Sequence, residues 1–177
     1  MERWRLCPGC RLRLPPSAWE PPANVNASGE CWEVYAEVVG FEVADIGLVR
    51  RFHQLTVDAY GAQHAGGATS PLRVAYSLVG LHLALDRGLP GLQVRALHQR
   101  MGRPDPSWPA FPPPREPGEL TVLDVAEAGV MVAAVEGHAA LAQRWAETVW
   151  RAWRTQQGAV AALTDRILAG PRQAGSP

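Results

Sequence analysis

Proline divides this chain before any other feature does. Pro8, Pro15, Pro16, Pro21 and Pro22 fall within the first 29 residues, and seven more prolines lie between Arg103 and Glu119. Proline lacks the amide hydrogen a helix needs, and its ring clashes with the turn before it, so neither segment can form a long helix. The rest of the chain reads as helix, with no convincing strand signal and no internal repeat. An all-α fold is predicted: a helical bundle of five to six helices over 30–170, a proline-rich connector at 103–119, and a small irregular module at 1–29. In the connector, Trp108 and Phe111 are the expected anchors to the core.

The helices can be placed by period and punctuation. Cys31, Val34, Tyr35, Val38 and Val39 recur at helical spacing after Ser28-Gly29, which predicts a first helix over 30–39. A second is predicted over 45–63, where Ile46, Val49, His53, Val57, Tyr60 and His64 fall within about 60° of one line. Ser70-Pro71 is a strong start signal for a third helix that stops at Gly88. Pro90-Gly91 opens a fourth, from Leu92 to Met101, ended by Gly102 and Pro104. Thr121-Val122-Leu123-Asp124 resembles a capping box and opens a short fifth helix. A long last helix is expected over 132–168, bent at Gly158. Trp145, Val149 and Trp153 make one stripe on it, with Trp150 alongside, and core packing is the expected role of these tryptophans, with an aromatic ligand pocket the other reading.

Charge narrows the classes of function. Seventeen basic and seventeen acidic residues cancel, so no global field draws the protein to nucleic acid or to a membrane surface. Every basic residue is arginine, and the one local cluster, Arg3, Arg5, Arg11 and Arg13, reads as a solvated flank. No apolar run approaches the roughly 18 residues of a membrane span. The longest, Ala128 to Val135, has the length of a buried helix segment. A cytoplasmic location is expected, where three cysteines stay reduced. No phosphate-binding loop, dinucleotide fingerprint, nucleophile elbow or HExxH motif is present, so catalytic residues cannot be assigned.

The chemistry concentrates in Leu6-Cys7-Pro8-Gly9-Cys10-Arg11. Cys-x-x-Cys is the shortest loop that supplies two ligands to a tetrahedral zinc ion, and Pro-Gly between the cysteines favours the tight turn this requires. A redox pair would instead open a helix whose amino terminus lowers a thiol pKa. Arg11-Leu12-Arg13-Leu14-Pro15-Pro16 leaves no room for one. The module at 1–29 is therefore read as a zinc knuckle with structural zinc as its cofactor, and redox or incidental cysteines remain as alternatives. Cys31 is available as a third ligand, and the fourth must be a histidine. If the first two helices form an antiparallel hairpin turning near 41–45, Cys31 lies opposite residue 55. His53 is then about 3 Å from that level and His64 about 13 Å. The expected set is Cys7, Cys10, Cys31 and His53, with His64 taking the fourth place if the turn is longer.

A second polar cluster is conceivable around Asp58, Tyr60, His64 and His82, with His138 on the last helix within reach. Histidine and aspartate gathered from several helices can build a metal site with an open position. That gives the alternative to a binding or interaction role: a metal-dependent enzyme. A protein or small-molecule partner is expected, with oligomeric state undetermined.

The residues "CPGC", "CW", "HQLTVDAYGAQH", "LTVLDV" and "WAETVWRAW" together resemble an uncharacterised bacterial family, domain of unknown function 5946, over roughly residues 6–168. The resemblance implies no activity. Cys7, Cys10, Cys31, His53 and His64 match its pattern. Ser77-Leu78 and Gln156-Gln157 depart from it, standing where members tend to carry histidines. The resemblance thus implies a retained knuckle and the loss of any second site those histidines would serve, which favours a structural metal over a catalytic one.

Overall fold

The computed structural model describes residues 4–101 and 108–169. The expected all-α architecture is present. Among the described residues eight α-helices are found: α1 (Gly29–Val43), α2 (Ile46–Arg51), α3 (His53–Gln63), α4 (Pro71–Leu81), α5 (Gly91–Arg100), α6 (Val122–Ala128), α7 (Val135–Ala152) and α8 (Gln157–Ala169). A two-stranded antiparallel ribbon, β1 (Arg5–Leu6) and β2 (Arg13–Leu14), brackets the Cys-x-x-Cys turn, with Arg5 opposite Leu14.

Two breaks raise the helix number above the predicted five to six. The helix expected over 45–63 divides at Phe52, whose φ of −116° opens the turn between α2 and α3. The helix expected over 132–168 divides at a turn through Trp153, where Trp153 and Arg154 close short bonds to Trp150 and Arg151, and not at Gly158, which lies within α8. Punctuation elsewhere acts as predicted. Ser70 caps α4 through the Arg73 amide at 3.3 Å, and Thr121 and Asp124 form the capping box of α6. After α4 the chain makes one π-helical turn over His82–Asp86 and stops at Gly88, whose φ of +66° suits glycine. The predicted stop at Gly102 and Pro104 lies outside the described residues.

Helix α3 is the axis of the molecule. It packs on α4, α7, α5 and α1, and of its residues only His53, Gln54 and Val57 escape full burial. A helix surrounded in this way shows no apolar stripe. The predicted single face over 46–64 therefore does not exist: Ile46 is 67 % exposed. Trp145, Trp150 and Trp153 are buried, in the core role expected of them. Phe111 is buried, and Trp108 meets Tyr76 at 5.3 Å between ring centroids. The apolar run 128–135 is not a buried segment; it forms the turn between α6 and α7, with Met131 and Val132 exposed.

Candidate metal centre

Helices α1 and α3 run antiparallel in a fixed register. Glu42 meets His53 at 3.0 Å. Seven residues back along α1 and seven forward along α3, the rings of Tyr35 and Tyr60 stack at 3.9 Å. Four residues further each way, Cys31 Sγ lies 3.4 Å from His64 Nε2. The predicted hairpin instead set Cys31 opposite residue 55. The discrepancy of nine residues is the length of chain taken up by Ala44, Asp45, α2 and Phe52, which leave the line of the hairpin. His64, not His53, is therefore the histidine brought to the cysteines.

Four side chains converge there: Cys7, Cys10, Cys31 and His64, all buried, with ligand atoms within 4.8 Å of one another. Cys10 Sγ and Cys31 Sγ are 3.6 Å apart. Vertices of a tetrahedron around zinc would be about 3.8 Å apart for two sulfurs and about 3.5 Å for sulfur and nitrogen. The two measured separations match that geometry and exceed a disulfide bond, and all three cysteines are free.

Each donor is held by local structure. The Cys7 amide bonds the Leu12 carbonyl at 2.8 Å, and the Arg11 amide returns to the Cys7 carbonyl at 3.0 Å. Gly9 between them lies against the His64 ring and the Asn26 carbonyl, where a Cβ would stand 2.5 Å from each. Only glycine allows the knuckle to approach α3 so closely. Cys31 sits in the first turn of α1, its amide bonded to the Ser28 cap at 3.3 Å. His64 caps the end of α3, and its Nδ1–H donates to the Tyr60 carbonyl at 2.8 Å. That bond fixes the tautomer and leaves the Nε2 lone pair facing the sulfurs. Tyr60 also stacks on the His64 ring at 3.9 Å and points its hydroxyl at Cys31 Sγ at 3.7 Å.

The electrostatics are compatible with a bound cation. Hydrogen bonds from Cys10 first, then Cys31, hold the Cys7 thiol far below its ordinary value. The contact with Cys31 pulls Cys10 down, but the contact with Cys7 and burial outweigh it and push Cys10 up to about 12. Cys31 is driven further up, by Cys10 and then Cys7. One negative charge in this dry space thus suppresses the next, and a divalent cation would permit all three thiolates at once.

The proposed second cluster does not assemble. Tyr60 and His64 belong to the cysteine site. Asp58 faces α5, with Gln54 Nε2 donating to its Oδ1 at 3.1 Å and His98 Nδ1 at 3.9 Å. His82 lies in the π-helical turn, donating to Asp86 at 2.8 Å and accepting from Arg87 Nε at 3.2 Å. His53 and His138 converge elsewhere, on the two carboxylate oxygens of Glu42. Glu42 and His98 were not foreseen, because a single acid in a helix and a lone histidine carry no spacing signal. Among the described residues, the Cys₃His group is the one set of three or more such side chains with metal-binding geometry.

The fold and this cluster define a helical protein with a Cys₃His centre joining its irregular amino-terminal segment to the helices. Residues 5–154 match the model of a family of unknown function, DUF5946, and the chain belongs to that family. No curated protein and no solved structure matches it. No helix is long and apolar enough to cross a membrane among the described residues.

Proposed function

We propose that Cys7, Cys10, Cys31 and His64 hold a structural zinc ion that fastens residues 1–29, as a knuckle module, to α1 and α3. The observation that carries this reading is the buried donor set, in which the Cys10–Cys31 and Cys31–His64 separations have tetrahedral spacing, with the His64 tautomer fixed so that Nε2 faces the thiolates. All four donors are protein side chains and all are buried, which leaves no open coordination position for a substrate. On this reading the metal contributes folding free energy and the protein acts by binding a partner, not by metal-assisted catalysis. Such a site belongs in a reducing compartment such as the cytoplasm, where free thiols persist.

Metal analysis of the purified protein tests it. One zinc per chain is expected, together with its loss in Cys7→Ser and a fall in melting temperature of roughly 10 °C. Metal-free protein that unfolds cooperatively at the same temperature as untreated protein would overturn it.

A further inference from the structure

A groove of about 720 Å³ runs between the proline-rich segment and the carboxyl-terminal end of α7, a volume in the range of small-molecule sites. Its walls carry Arg115, Arg151 and Arg154, all exposed. None of the three makes an ion pair among the described residues, although the molecule as a whole is neutral. Two acidic residues also line the groove, Glu116 and Glu119. Glu116 is already engaged, accepting two bonds from Arg11 Nη1 at 2.9 and 3.0 Å. Positive charge therefore dominates the surface that remains. A helix carboxyl terminus carries about half a negative charge, which one cation offsets; three guanidinium groups exceed that need.

The groove is also preformed. Gly118 lies flush on the α7 backbone at Val149, and the Leu120 amide bonds Thr148 Oγ1 at 3.4 Å. Gln63 of α3 donates to the Leu120 and Pro117 carbonyls at 2.8 and 3.3 Å. Proline and these anchors fix the wall before a ligand arrives, which lowers the entropy cost of binding. The guanidinium fork matches phosphate and carboxylate oxygens, and does so in pairs.

We propose that this groove binds a small polyanion, a ligand bearing two or more phosphate or carboxylate groups, through Arg115, Arg151 and Arg154. The test is calorimetric titration of the full-length protein at low ionic strength with tripolyphosphate, and separately with citrate to tell the two anion chemistries apart. Saturable one-to-one binding of at least one probe is expected, weakening as salt is added. The Arg151→Gln/Arg154→Gln double variant is expected to bind roughly tenfold more weakly or worse, and Arg115→Gln to weaken binding independently from the opposite wall. Arg144→Gln, on α7 but outside the groove, is expected to bind as the parent does. These arginines are exposed, so unchanged far-ultraviolet circular dichroism is expected in every variant. Absence of saturable binding to both probes would overturn the proposal, as would an equal loss in Arg144→Gln. Tighter binding of a single-stranded oligonucleotide through the same arginines would replace it with a nucleic-acid site. None of the three arginines is a metal ligand, so the result is read separately from zinc content.

Discussion

Glu42 and His138 lie on α1 and α7, and their side chains meet at 2.9 Å with both wholly buried. His53 and Thr56 of α3 bond the same carboxylate, so one acid ties three helices together at the end of the bundle remote from the cysteines. Removing one partner of a buried pair leaves the others desolvated and unmatched, which costs about 3–5 kcal/mol. Glu42→Ala is expected to lose that much in urea unfolding, and Glu42→Gln less, since an amide still offers an acceptor. A loss below about 1 kcal/mol in Glu42→Ala would show that this network contributes little.

Acid should destabilise the protein in two stages. Burial pushes the His98 imidazole down to about 4, so the unfolded chain takes up that proton first, as pH falls below the ordinary histidine value. Stability from His98 is present above that value and is lost as pH falls toward 4. Burial alone would raise Glu42, but the hydrogen bonds from His138, His53 and Thr56 outweigh it and hold the carboxyl below its ordinary range. Its contribution is present above the ordinary carboxylate value and is lost as pH falls through the lower folded one. Chemical unfolding across the acid range is expected to show a first decline that His98→Gln removes and a second that remains.

Asp58 has the opposite sign. Burial raises its carboxyl well above the ordinary value, and its Oδ2 has no hydrogen-bond partner among the described residues. The folded state keeps the proton that the unfolded chain releases, so this contribution is full below the ordinary aspartate value and diminishes as pH rises above it. Asp58→Asn, which is isosteric and uncharged, is expected to be as stable as the parent at neutral pH or more so. A loss above about 2 kcal/mol there would mean that the carboxylate is satisfied in solution.

The two histidines considered as fourth ligand should separate cleanly. His64→Ala is expected to abolish stoichiometric zinc. His53→Ala is expected to retain zinc while losing stability through Glu42. Metal content and melting temperature measured on the same preparations would decide, and zinc loss in His53→Ala alone would contradict the register of α1 and α3.

The sequence carried the architecture better than the centre. Proline clusters, Ser70-Pro71 and Thr121–Asp124 are local signals, and each acts within a turn or two of where it lies. Cys7 and Cys10 were legible because a knuckle is also local. The choice between His53 and His64 was not, because it depends on where the chain turns, and a helix can be broken at Phe52 without proline or glycine to mark it. The Glu42 network was hidden for the same reason: it joins residues from α1, α3 and α7, and no spacing along the chain announces such a meeting.

Helix α2 makes few commitments of its own, since only Leu48 among its residues is buried. Its length is another matter. Each residue added or removed within Ile46–Arg51 would rotate the chain that follows by about 100° about the axis of α2 and shift it by about 1.5 Å along that axis, carrying His64 away from Cys31 and His53 away from Glu42 together. Substitution on its outer side should be widely tolerated, whereas insertion or deletion of a single residue should not. The least decorated helix in the molecule is thus the gauge that sets both ends of the α1–α3 pair.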